Sequence, residues 1–339
     1  MTKFHAIQNN QPPFQGSNRR LFNAAILITE GFSLLSLTSL IDVLDAVQTA
    51  SPLACVDVTI LTLDGTPVRA RSKVQIASDG SLLDNLRRDT LLPRPDVYAV
   101  CSGPQMSAAE TALTLELVRK CRLSSTPVCA MGAAVRVIAQ SGLITKGTDH
   151  WSRIPANRET LPHIDFEDSI FVKDGNLISC SGELGAMDFA LNWVENNIST
   201  ETATRIRNYL LLQSTRSADR AQTCSAADRY RGAPPKLQQA INLMLDNLEE
   251  PLSVNTIAAI IGLSVRQVER LFLRYLGTSP VRFYRMERLE LGRSLVEDTN
   301  MPITEIALAC GFKSLSSFIK LFRNNFGATP ITFRASKAA

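Results

Sequence analysis

The sequence predicts two unlike domains: an α/β domain built on a buried parallel sheet, then an all-α domain that contains two helix-turn-helix motifs. Three observations carry that prediction. Short apolar runs of strand length alternate with helical patterns over the N-terminal part of the chain. A unit of helix, tight turn and capped helix occurs twice near the C-terminus. Between them lies a polar stretch without apolar periodicity, and 339 residues are long for one hydrophobic core.

Residues 1–20, with Pro12 and Pro13 ahead of the first apolar run, read as a disordered arm. Residues 23–29 form a first strand with Gly31 at its exit, 37–49 a helix, and 56–63 a strand that Asp64-Gly65 ends. Residues 96–101 give a third buried strand, which leads into Ser102-Gly103-Pro104. A helix at 108–122, a strand at 127–130 and a helix at 133–141, closed by Gly142, complete the alternation. Buried strands that alternate with helices imply a parallel sheet covered on both faces. Residues 170–173 and 176–180 flank Asp174-Gly175, a hairpin signal. The amphipathic helix at 186–196 carries Met187, Phe189, Ala190 and Trp193, a face suited to a dimer interface. The α/β domain thus spans 21–213. Residues 214–235, rich in Ser, Ala, Arg, Asp and Gln and ending in Pro234-Pro235, read as a flexible linker, and 236–335 as the helical domain.

The duplicated unit is the most specific signal. Ile257-Ala258, Gly262, Ser264, Leu271-Phe272, Gly277 and Pro280 return as Ile306-Ala307, Gly311, Ser314, Leu321-Phe322, Gly327 and Pro330. Gly262 and Gly311 lie 49 positions apart but Phe272 and Phe322 lie 50 apart, so the second turn holds one extra residue. In each copy the Ala permits close packing, the Gly takes the turn and the Ser caps the next helix, with Gln267 completing a capping box on Ser264. Val268, Leu271, Phe272 and Tyr275 are expected to point inward while Arg266, Arg270 and Arg274 step along another face. In the second copy Phe318, Leu321 and Phe322 face inward and Lys313, Lys320 and Arg323 project. Two such units with cationic second helices imply reading of double-stranded DNA. Arg266, Gln267 and Arg270, with Ser316 and Ser317, are assigned to base edges. Arg274, Lys313, Lys320 and Arg323 are assigned to phosphates, beside the caps Ser264 and Ser314. The charge agrees: from Ser214 onward 17 Lys plus Arg face 11 Asp plus Glu, against 19 and 21 before it.

Seven scattered cysteines without a Cys-x-x-Cys pair, and only three histidines, argue against a disulfide framework and a zinc site. No metal and no cofactor are expected. No apolar run reaches the roughly 18 residues of a membrane span, and the polar N-terminus lacks a secretory core, so a cytoplasmic protein is expected.

Residues 236–334 resemble the AraC/XylS family of transcription regulators, down to Gly277-Thr278-Ser279-Pro280 and Ile306-Ala307-Leu308-Ala309-Cys310-Gly311-Phe312. The N-terminal domain resembles the flavodoxin-like DJ-1/PfpI family in Gly31, Ile41-Asp42-Val43, Val100-Cys101-Ser102-Gly103, Ile138-Ala139-Gln140-Ser141-Gly142-Leu143, His150-Trp151 and Asp174-Gly175-Asn176. The pair in this order resembles the GlxA-type regulators, a group that includes regulators of arginine, carnitine and glycine betaine catabolism. The resemblance implies a ligand-responsive activator of a catabolic operon that dimerises through its N-terminal domain. It would work on promoter DNA with RNA polymerase and answer to an amino acid, a betaine or a carnitine-like effector.

Enzymes of the DJ-1/PfpI family carry a Cys at a sharp strand-to-helix turn, with a Glu nearby. Cys129 is the candidate nucleophile, yet Cys129-Ala130-Met131-Gly132 departs from the family's Cys-x-Gly. Counting back from Ile138-Ala139 puts Gly132 at the turn, and Ser36 stands where the Glu would be, five residues after Gly31. A non-catalytic sensor is therefore expected. The rival is an active cysteine hydrolase or amidase tethered to a DNA-binding domain. The crevice beyond the carboxyl ends of the strands is the expected effector site, bordered by Ser102, Gly103, Met131, Gly132, His150 and Trp151, with Trp151 as a wall for a cation.

Overall fold

The run Arg20–Ile28 forms β1, and its second half is buried on both sides, as befits the middle of a parallel sheet. A computed structural model describes residues 19–87, 94–222 and 233–338. After β1 come α1 (Leu34–Ala50), β2 (Ala54–Thr62), β3 (Val68–Arg69), β4 (Gln75–Ile76), β5 (Gly80–Ser81), α2 (Leu82–Arg87), β6 (Val97–Cys101) and α3 (Ala108–Leu123). They are followed by β7 (Val128–Met131), α4 (Ala133–Gln140), β8 (Lys146–Gly147), α5 (Ile154–Thr160), β9 (Asp165–Phe166), β10 (Phe171–Asp174), β11 (Leu177–Cys180), α6 (Gly185–Asn197) and α7 (Thr200–Tyr209). The main sheet runs β10-β11-β7-β6-β1-β2-β5, parallel except for β10, which closes the expected hairpin with β11.

Period-two alternation along β1 divides the core. Ala24, Ile26 and Ile28 join one cluster with Leu40, Phe189 and Trp193, whereas Ala25 and Leu27 join the opposite one with Leu117, Val118 and Ile138. Two expectations are corrected here. Arg20, placed in the arm, begins β1; residues 1–18 lie outside the described residues. The face of α6 offered for dimerisation is occupied by the core: Phe189, Ala190 and Trp193 are buried among side chains of α1 and α7, and Met187 packs on the same cluster. Gly185, Ala186, Leu191 and Val194 are buried as well, so the helix is covered on most sides and its partner is this chain.

The segment taken as the start of a flexible linker is packed instead. Ala218 packs on the core, and Arg216 pairs with Asp188 at 2.7 Å while its backbone N–H donates to the same carboxylate at 2.9 Å. The Ala218 carbonyl accepts from Ile170 N–H at 2.9 Å. Gln222 Nε2 donates to Thr148 Oγ1 and to the carbonyls of Asp149 and Ser169, all at 2.7–2.8 Å. A polar composition predicts a solvated segment, but this strap is held mainly by hydrogen bonds, with Ala218 packed on the core beneath it. Residues 223–232 lie outside the described residues.

The helical part contains α8 (Pro235–Leu245), α9 (Val254–Ile260), α10 (Val265–Leu276), α11 (Pro280–Asp298), α12 (Ile303–Ala309), α13 (Leu315–Phe326) and α14 (Pro330–Ala338). Pro235, assigned to the linker, is the first residue of α8, where its missing N–H costs nothing. One core gathers α8, α9 and α10 around Phe272, and a second gathers α12, α13 and α14 around Phe318 and Phe322. The long helix α11 joins them. The second core also takes in Ala156 of α5, so the two halves of the chain touch.

Candidate DNA interface and effector crevice

Both helix-turn-helix units form as the repeat requires. The Ser264 hydroxyl accepts Gln267 N–H at 3.3 Å and Gln267 Oε1 accepts Ser264 N–H at 2.8 Å, a complete capping box. Ser314 caps α13 through Ser317 N–H at 3.4 Å and lies 2.9 Å from the Ser316 hydroxyl. Val268, Phe272, Phe318 and Phe322 are buried. Arg266, Gln267, Arg270 and Arg274 on α10, and Lys313, Ser316, Ser317, Lys320 and Arg323 on or beside α13, are all exposed. Because the carboxamide oxygen of Gln267 serves the cap, any base reading by Gln267 falls to its Nε2 donors.

One inward assignment fails. Tyr275 is 42% exposed, with the Arg274 guanidinium 5.6 Å from its ring. Leu276, four residues after Phe272, packs on the core instead. Sequence reasoning also missed Arg288, which explains how the longer second turn is held. From α11 it donates to the carbonyls of Cys310 at 2.7 Å and Gly311 at 2.6 Å, with its guanidinium 4.3 Å from the centre of the Phe312 ring.

A crevice of about 210 Å³ opens beyond the carboxyl ends of β1, β6, β7 and β11. Ser102, Gly103, Met131, Gly132 and His150 line it. Gly132 is the elbow, at φ +74° and ψ −143°, and a Cβ there would stand 2.3 Å from the Ser102 carbonyl oxygen. Ser102 laces the elbow shut: its hydroxyl donates to the Met131 carbonyl at 2.7 Å and accepts Ala134 N–H at 2.8 Å.

Trp151 is the expected site residue that is displaced, whereas Cys129 lies apart from the elbow as the count from Ile138-Ala139 requires. Cys129 lies inside β7, fully buried and before the elbow. Burial first, then a hydrogen bond with Cys180, pushes its thiol well above the ordinary cysteine range, so the nucleophilic thiolate is suppressed. Trp151 is not among the residues that line the crevice; it is half exposed, with its N–H bonded to Gln222 Oε1 at 2.8 Å. That bond is made by the backbone, and the ring lies with its centre 5.5 Å from that of His150. His150 remains in the wall, its Nδ1 2.8 Å from the Ser152 hydroxyl. Burial, then the Arg153 charge, lowers its pKa below the usual 6.5, so the neutral ring prevails at neutral pH.

A carboxylate does border the crevice, but from the turn after β11 rather than from position 36. Glu183, in the turn after β11, receives a 2.5 Å hydrogen bond from the Ser33 hydroxyl and an ion pair from Arg71 at 3.4 Å. Ser36 itself accepts Glu183 N–H at 2.6 Å. Glu183 has φ +49°, a left-handed conformation that side chains adopt at a cost of about 1–3 kcal/mol and that concentrates at functional sites. The one sequence clue was Gly182-Glu183 at the exit of a buried strand.

A Cys129→Ala protein is expected to keep its transcriptional response and to lose about 1–2 kcal/mol of stability through the smaller side chain. Reporter transcription and a denaturant melt check both; loss of response in a folded variant contradicts it.

Residues 257–336 match the model of a helix-turn-helix domain, and residues 23–196 match that of the DJ-1/PfpI family. The chain is 30% identical over 322 residues to the HTH-type transcriptional regulator GbdR of Pseudomonas aeruginosa, a match that covers 94% of this chain and 86% of GbdR. The chain belongs to the AraC-type transcriptional regulators that carry a DJ-1/PfpI domain. This regulator is also 30% identical over 278 residues to the HTH-type transcriptional regulator CdhR of the same species, covering 81% of each chain. It is 28% identical over 240 residues to the HTH-type transcriptional regulator GlxA of Rhizobium meliloti, covering 70% of this chain and 74% of GlxA. It is a DNA-binding regulator of transcription. No helix among the described residues is long and apolar enough to cross a membrane.

Proposed function

We propose that the regulator is an effector-controlled activator of a catabolic operon, and that its DJ-1/PfpI-like half holds a small metabolite without transforming it. The observation that carries this reading is Gly132 at the elbow: the position where related enzymes hold a nucleophile has no space for any side chain, and Cys129 is sealed inside β7. What is left is a polar crevice with charges of both signs, Glu183, Arg71 and Arg153, beside a neutral His150. Such a lining suits a small zwitterion of the amino acid, betaine or carnitine type. The regulator would act in the cytoplasm as a homodimer, placing its exposed reading helices on promoter DNA and engaging RNA polymerase there. With α6 committed to the core, the dimer contact falls to another surface of the α/β half.

The effector arm of this reading is tested by thermal shift of the full-length protein against amino acids, betaines, carnitine and polyamines, since a ligand that binds only the folded state raises Tm by mass action. A panel with no binder, or a binder unaffected by Ser102→Asp in the crevice, overturns it. The DNA arm is tested by substitution. Arg266→Ala should cost about 1–3 kcal/mol on the cognate site and relax discrimination, whereas Lys320→Ala should weaken all sequences alike. Footprints should show two major-groove segments about 34 Å apart per monomer; a single protected segment contradicts the two-reader arrangement.

A further inference from the structure

We infer that the effector crevice is shared by the two halves of the chain, with Glu297 of α11 as one of its walls. This rests on the crevice being the effector site, as proposed above. Four observations converge on it. Glu297, near the end of the helix that joins the two reading units, lines the crevice opposite residues of the α/β half. One turn earlier on the same helix, the Ser294 hydroxyl donates to the carbonyl of Ser152, itself a lining residue. The wall segment from Asp149 to Arg153 runs straight into α5, and Ala156 of α5 is buried to 1% exposure within the core of the second reading unit, beside Val296 and Cys310. Finally, the segment is stiff. Asp149, fully buried, accepts from His150 N–H at 2.7 Å, Asn157 Nδ2 at 3.0 Å and Arg153 Nη2 at 3.0 Å, which ties the crevice wall and α5 into one piece.

A ligand shifts a conformational equilibrium only by its differential affinity for the two arrangements. Here the differential is explicit, because a ligand that touches Glu297 gains that contact only while α11 is docked on α5. Occupancy of the crevice therefore holds α11, and with it the second reading unit, in a fixed relation to the α/β half. By reciprocity, docking of α11 strengthens effector binding by the same factor by which bound effector favours docking.

The test uses full-length protein and two variants. Glu297→Gln changes the wall; Ala156→Asp places an unpaired charge in the docking contact without touching the crevice lining. Hydrogen exchange is read first, with no ligand. In Ala156→Asp the amides of 149–160 and of 289–297 should lose protection together, while those of α10 stay protected. Unchanged protection at 149–160 in this variant overturns the shared wall. Next, the member of the amino acid, betaine, carnitine and polyamine panel that gives the largest Tm shift on the wild type is titrated into each variant. Both substitutions should weaken its binding about tenfold or more, the scale of one charged hydrogen bond. Wild-type affinity in both variants overturns the shared site yet leaves the crevice as effector site intact. Absence of any panel binder to the wild type counts against the effector reading alone, since the exchange experiment still decides the docking.

Discussion

Full-length Gly132→Ala protein should be less stable than the wild type by roughly 3–5 kcal/mol, with crevice binding lost. Two costs add. The backbone at φ +74° and ψ −143° is one that a residue with a Cβ enters only under strain, and the added carbon would stand 2.3 Å from the Ser102 carbonyl oxygen and 2.9 Å from its hydroxyl. Relief is hard to find, because that hydroxyl is already bonded to Met131 and Ala134. Urea unfolding measures the loss. Gly132→Cys should behave alike and gain no hydrolase activity; a stable Gly132→Cys protein that hydrolyses an ester or amide would revive the enzyme reading.

Alanine at Gly311 should cost roughly 2–5 kcal/mol, while alanine at the equivalent Gly262 should cost only about 1–2 kcal/mol. The two glycines have matching φ, +69° and +70°, and matching places in the repeat, so their backbone penalties are alike. Their surroundings are not. Nothing lies within 4 Å of a Cβ built at Gly262, but one at Gly311 would meet the carbonyl oxygens of Leu248 and Glu249 at 2.7 Å each. The second turn is pressed against the chain that follows α8, and backbone atoms cannot swing aside as a side chain would. Loss of stability should therefore be accompanied by a footprint reduced to the segment read by α10. Equal costs at the two sites would show that the close approach relaxes without penalty.

What the sequence could disclose followed the range of the forces. The cap at Ser264, the inward pair Val268 and Phe272, and the alternation along β1 depend on neighbours within one or two turns of the chain, and periodicity reports those directly. The pocket was half legible on the same grounds: Ser102, Gly103, Met131 and Gly132 sit at strand ends whose position the βα pattern determines. Glu183 was not, since its meeting with Ser33, Ser36 and Arg71 joins segments more than a hundred residues apart. Ala156 and Arg288 escaped notice because a small apolar residue and a solitary arginine carry no pattern of their own. Tyr275 and Trp151 show the opposite error: Tyr275 was given an inward place that Leu276 fills, and Trp151 a place in a crevice wall that it does not line.

The strap over Thr148, Asp149 and Ser169 also sets a leash. Had residues 214–235 all been free, the reading units could have swung out on a tether of up to about 75 Å. With the chain fastened as far as Gln222 and α8 beginning at Pro235, the covalent slack between fixed points shrinks to about 40 Å at most. A release of α11 from α5 then leaves the second reading unit within a small volume around its former seat, at an effective concentration on the order of millimolar. Re-docking would then be an intramolecular event that needs no partner, and cutting the chain between Gln222 and Pro235 is expected to abolish that return.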